Sequence, residues 1–162
     1  MTKANTTPGD QYLDKLARLE RRVGDLYRAF AGIFNDTAGF WMVLADEEDG
    51  HARQLETLRG LSTGEGMAAL AREDPFMIDR VLAELDRIIG MVPDARISIE
   101  AALSLAYGIE YSMAEKHVIS RPRLDNETVR QVFEQLELAD ETHLQRLREM
   151  ALNRGLFVPE AR

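Results

Sequence analysis

Two short stretches of this chain place an imidazole three residues after a carboxylate: Glu48 and His51 in "EDGH", and Asp140 and His143 in "DETH". At helical spacing each pair falls on an otherwise apolar stripe. The first stripe reads Trp41, Leu44, Glu48, His51, Leu55, Leu58, and the second Val129, Val132, Leu136, Asp140, His143, Leu147, Met150. Two further stripes carry one acid near the middle. Glu20 interrupts Leu13, Leu16, Val23, Tyr27, Phe30 and Phe34; Glu110 interrupts Ile99, Leu103, Ala106, Met113 and His117. One acid in an apolar stripe ordinarily belongs to a side chain that reaches solvent. Four stripes interrupted at matched positions demand another reason. Glu20 precedes Glu48 by 28 positions and Glu110 precedes Asp140 by 30, so the two halves form a degenerate internal duplication.

In a four-helix bundle, residues at matched depth on all four inward faces converge, and partners three apart on a helix are neighbours. Six side chains are therefore expected to meet. Four carboxylates in a dry core repel one another, and burial disfavours their charge. Two divalent cations would neutralise them, with two neutral imidazoles completing the coordination. Carboxylate and imidazole without sulfur suit iron or manganese, with zinc as a further alternative. The chain has no cysteine, which excludes thiolate zinc sites, iron–sulfur clusters and disulfides.

The elements needed to position these groups are legible in outline. Period-two β-branched runs are absent and apolar residues recur at three and four, so the chain reads as all-α. A first helix is expected from about Asp10 or Tyr12 to Phe34, and a second from about Asn35–Thr37 to Leu61, where "GLSTGEG" stops it. Their short link makes them antiparallel neighbours. "EDPFMIDRVLAELDRIIGMVPD" reads as one shorter helix capped by Asp74, with Pro75 in its first turn. A third long helix is expected over roughly Asp94 to Ile119, and a fourth from Asp125 or Asn126 to Gly155, a natural residue to follow a helix end. Two helical hairpins would thus be joined by a crossover of about 35 residues containing one extra helix.

The 162 residues fit a single domain, residues 1–162, with 1–10 read as a flexible tail. Twenty basic against 28 acidic residues give a net charge of −8, which argues against nucleic acid as a partner. No apolar run approaches the roughly 18–20 residues that span a bilayer, and the N-terminus lacks a signal-peptide core, so no membrane association and a cytoplasmic location are expected.

Taken together, Glu20, "EDGH", Glu110 and "DETH" resemble the di-iron site of the ferritin-like superfamily and, within it, of the rubrerythrin-like group. The similarity spans roughly residues 12–153, with "YLDKLARLERRVGDLY" and "LADEEDGHARQLETL" the closest stretches. The resemblance implies a ferritin-like four-helix bundle in which Glu20, Glu48, His51, Glu110, Asp140 and His143 ligate two iron ions. It implies an oxidoreductase acting on hydrogen peroxide or dioxygen, linked to oxidative stress or iron. Tyr27 matches a family tyrosine beside the centre, a candidate catalytic group, and is equally readable as a core tyrosine. The chain departs from the pattern in three ways. Asp140 stands where Glu is usual, shortening the reach by ~1.5 Å; Met113 stands where rubrerythrins carry a further Glu; and the rubredoxin-like Cys₄ module is absent, so electrons would come from an external redox protein.

Other residues admit two readings. Glu47, four before His51, is either a hydrogen-bond acceptor orienting that ring or a surface acid. Glu115 reads as surface, and His117 as a core or end-of-helix histidine or an extra ligand. Gly50 inside a ligand-bearing helix costs roughly 1 kcal/mol relative to Ala unless close packing requires it. Two alternatives to a di-iron enzyme stand open: an iron-handling protein with ferroxidase activity, and a helical interaction module with a vestigial or zinc-filled site. A homodimer is expected, with the apolar helix at 75–91 as its interface.

Overall fold

The computed structural model describes residues 7–61, 65–73, 76–120 and 124–156. Among the described residues the chain forms six helices and no strand: α1 (Pro8–Ile33), α2 (Ala38–Thr57), α3 (Glu65–Glu73), α4 (Met77–Met91), α5 (Ile99–Ser120) and α6 (Glu127–Asn153).

Local chemistry explains the boundaries. The Thr7 hydroxyl accepts from Asp10 N at 3.1 Å while the Asp10 carboxylate accepts from Thr7 N at 3.1 Å, a reciprocal cap, with Pro8 in the first turn. Residues 7–10 are thus the start of α1, where a tail was expected; residues 1–6 of that tail lie outside the described residues. α2 ends at Thr57, before the expected Leu61, and Gly60 turns the chain at φ +79°. α5 begins at Ile99, five residues later than the expected start near Asp94, because the Ser98 hydroxyl accepts from Ala101 N at 3.1 Å and caps the helix there. Asn126 caps α6 by accepting from Thr128 N and Val129 N, and Gly155 follows the helix at φ +69°.

The crossover holds two helices where one was expected. The nine residues of α3 are too few for a clear period in the sequence; buried Met67 ties them to the core, and α3 packs on α1. α4 starts after Phe76 without a side-chain cap, and Asp74 and Pro75, expected to begin it, lie outside the described residues.

Polar side-chain contacts report the helix directions. Asp14–Arg59, Arg21–Glu56 and Arg28–Asp49 run in opposite order along α1 and α2, which are antiparallel. Lys15–Asp79 and Arg22–Asp86 run in the same order, so α4 lies parallel to α1. Tyr107–Arg148 and Glu110–His143 make α5 and α6 antiparallel. Each exposed pair contributes at most about 1 kcal/mol, so apolar packing carries the stability. Leu13, Val23, Leu26, Phe30, Trp41, Leu44, Leu55, Phe133, Leu136 and Leu147 are completely buried. Outside this core, Phe76 (72% exposed), Met77 and Met91 of the α4 region face outward, beside an open groove between α4 and α5. No helix among the described residues is long and apolar enough to cross a membrane.

Gly50 has no packing reason to be glycine. A Cβ there would meet only the exposed Arg53 guanidinium, at 3.9 Å. Gly50→Ala is therefore expected to stabilise the protein by about 0.5–1 kcal/mol. Thermal unfolding should register this as a melting point roughly 1–4 °C higher.

Candidate metal centre

Four helices deliver the six interrupting side chains to the interior. Glu20 comes from α1, Glu48 and His51 from α2, Glu110 from α5, and Asp140 and His143 from α6. All four carboxylates are completely buried, and His51 and His143 are 8% and 2% exposed. The acid-bearing stripes therefore face inward. The acids do not reach solvent.

Five of the six form two overlapping groups. Ligand atoms of Glu20, Glu48 and His51 lie within 4.8 Å of one another, and so do those of Glu48, Glu110 and His143. Glu48 belongs to both. His51 Nδ1 lies 3.3 Å from Glu48 Oε2 and 3.8 Å from Glu20 Oε2. His143 Nδ1 lies 3.0 Å from Glu48 Oε1 and 3.3 Å from Glu110 Oε1. The two rings stack with centroids 5.4 Å apart. Asp140 is buried with them but joins neither group, in keeping with its shorter side chain.

The polar atoms at this centre are incompletely satisfied by protein. Glu48 Oε1 and Glu110 Oε2 accept no hydrogen bond, and His143 Nδ1, although close to two carboxylates, lacks hydrogen-bond alignment to either. Buried polar atoms are nearly always paired, and an orphaned carboxylate oxygen costs more than a neutral one. Clustered oxygen and nitrogen donors of this kind could hold a metal ion, and the donor set fits a hard or borderline cation.

Electrostatics point the same way. Burial lowers the basicity of His51, but Glu20 and Glu48 overcome it and raise the ring from 6.5 to about 10. Burial likewise opposes charge on His143, and Glu110 and Glu48 raise it to about 11. In the metal-free protein the two imidazoles are therefore cationic and occupy the electrostatic role that metal ions would take. Burial, reinforced by Glu110 and Glu48, pushes the Tyr27 phenol well above its ordinary value of 10. Tyr27 stays protonated and donates to Glu110 Oε1. It is a fully buried residue hydrogen-bonded to the centre, and it packs on Trp41 with ring centroids 5.7 Å apart.

Several features could not be read from spacing alone. The spacing allows Glu47 to be an acceptor for His51 on its own helix or a surface acid. It instead lies 3.0 Å from His143 Nε2 on α6 and accepts from Arg146 Nη1 at 2.6 Å. Gly24, one turn after Glu20, lets α1 approach α2 beside the centre: a Cβ there would stand 3.1 Å from Ala45 O and 3.3 Å from Glu48 Cβ. A buried glycine on the inward side of a long helix was the available signal. Met113 is a buried core residue. The side chains of Glu115 and His117 lie outside the described residues.

The chain matches no protein-family model, no curated protein and no solved structure. Fold and site together define an all-helical protein whose buried carboxylates and imidazoles form two overlapping groups that could hold a metal ion.

Proposed function

We propose that this protein is a ferritin-like, rubrerythrin-like di-iron carboxylate protein that reacts with hydrogen peroxide or dioxygen, using electrons from a separate redox protein. The observation that carries the reading is Glu48, completely buried and common to two groups that each contain a further glutamate and a histidine. A carboxylate with one oxygen toward each group is suited to bridging two cations. Two antiparallel helix pairs joined by a long crossover also support the ferritin-like arrangement.

Bound iron would supply the electrons and the Lewis acidity. The chain's own residues would do the rest. Glu20 and His51 hold one position, Glu110 and His143 the other, and Glu48 both. Tyr27 donates its proton to Glu110 and so fixes the carboxylate's orientation. The aromatic layer of Tyr27, Phe30 and Trp41, with rings 5.0–5.7 Å apart, excludes water from one side.

Asp140 makes the two positions unequal. Asp140→Glu lengthens the side chain by ~1.5 Å and lets it reach the group it now misses. The variant is expected to bind its second iron roughly tenfold or more tightly than the parent, measured by competition with a chelator. The reaction itself is tested by loading the protein anaerobically with Fe²⁺ and mixing with peroxide. Oxidation much faster than that of free Fe²⁺ is expected; a rate equal to free Fe²⁺ would overturn the oxidoreductase reading.

A further inference from the structure

The internal duplication pairs Glu48 with Asp140 and His51 with His143, and by the same register it pairs Glu47 with Ala139. By this register one half carries an acidic residue at the paired position and the other an alanine. His143 presents Nδ1 to Glu48 and Glu110 at 3.0 and 3.3 Å, and Nε2 to Glu47 Oε2 at 3.0 Å. The same Glu47 oxygen accepts from Arg146 Nη1 at 2.6 Å, and Arg146 lies one turn beyond His143 on α6. Glu47 from α2 is therefore held between two side chains of α6. It is a half-buried residue, accessible to solvent on one edge and to the ring on the other. His51 also turns Nδ1 inward, toward Glu48 and Glu20.

We propose that Glu47, clamped by Arg146, is a positioning residue that fixes the ring of His143 with Nδ1 facing the centre, making the position served by His143 the better organised of the two imidazole positions. The physical basis is general: an imidazole whose outer N–H donates to a carboxylate is locked in ring orientation and tautomer and is a stronger ligand, and loss of such a partner costs about 10–100-fold in metal affinity. Arg146 keeps the Glu47 carboxylate in place against its own freedom of rotation, and Ala139, the counterpart of Glu47 in the other half of the duplication, can make no such bond.

This inference rests on the metal-binding reading above, and the test separates the two. Purified full-length protein is titrated with Co²⁺ alone, followed by its visible absorption, for the parent and for Glu47→Ala, Glu47→Gln and Arg146→Met. Glu47→Ala should weaken one cobalt site about 10–100-fold and leave the other within about twofold. Glu47→Gln, whose amide oxygen still accepts a hydrogen bond, should recover most of the loss, and Arg146→Met should fall between. In the cobalt-loaded parent an exchangeable, paramagnetically shifted Nε2–H proton of His143 should appear by NMR in H₂O; it should vanish by solvent exchange in Glu47→Ala and return in Glu47→Gln. A purely structural role for Glu47 would not move that resonance. Two unaltered cobalt sites with an unaltered resonance in Glu47→Ala would overturn this proposal and leave the metal-binding reading intact. A parent that bound no cobalt would overturn both.

Discussion

On the proposed reading Glu48→Gln is expected to abolish binding of both metal ions, lowering each apparent affinity by more than about 100-fold, because it removes the one carboxylate common to the two groups. The substitution keeps side-chain volume, so the helical circular dichroism should be unchanged. Its neighbours should behave differently. Glu20→Gln should weaken only the position shared with His51, and Glu110→Gln only the position shared with His143. Metal per chain after gel filtration, followed by chelator competition, measures the distinction. If Glu48→Gln lost a single ion, or no more than Glu20→Gln does, Glu48 would not bridge.

The second large effect is in pH. The two imidazoles of the metal-free protein carry protons at neutral pH, held by their carboxylate neighbours against the opposing effect of burial. A metal ion can be ligated only by the neutral ring, so binding two ions near pH 7 should release about two protons per chain. With the rings raised to about 10 and about 11, the affinity for each ion should climb about tenfold per pH unit between pH 7 and 9. The metal-free fold should show the reverse trend. Both folded values lie above the ordinary 6.5, so the stability these protons provide is fully present below pH 6.5 and is lost as pH rises through about 10 and about 11. Calorimetry in buffers of different ionisation enthalpy counts the protons, and thermal melts of metal-free protein follow the stability. A binding reaction that released none would mean that the imidazoles are not ligands.

Much of this was legible in the chain, and for a definable reason. Long helices with apolar stripes announce their inward faces by period, so Glu20, Glu48, Glu110 and Asp140 could be seen to point where acids do not belong, and all four are completely buried. What escaped depended on contacts between elements. The spacing of Glu47 and His51 allows either a partnership within one helix or a surface acid, but Arg146 on α6 draws the Glu47 carboxylate across to His143. α3 escaped because nine residues scarcely establish a period. The substitution of Asp for Glu at 140 was visible as a shortfall in reach, and in the structure Asp140 is the one candidate ligand outside both groups. Gly50 raised a question that only packing could answer: nothing crowds it.

The most direct test of a dinuclear centre is to purify the full chain from iron-supplemented cells and measure metal per chain by mass spectrometry, together with the low-temperature magnetic resonance of the oxidised protein. A dinuclear centre requires about two irons per chain and a ferric signal largely silenced by coupling between them. Little metal, zinc alone, or a single uncoupled ferric ion would contradict it.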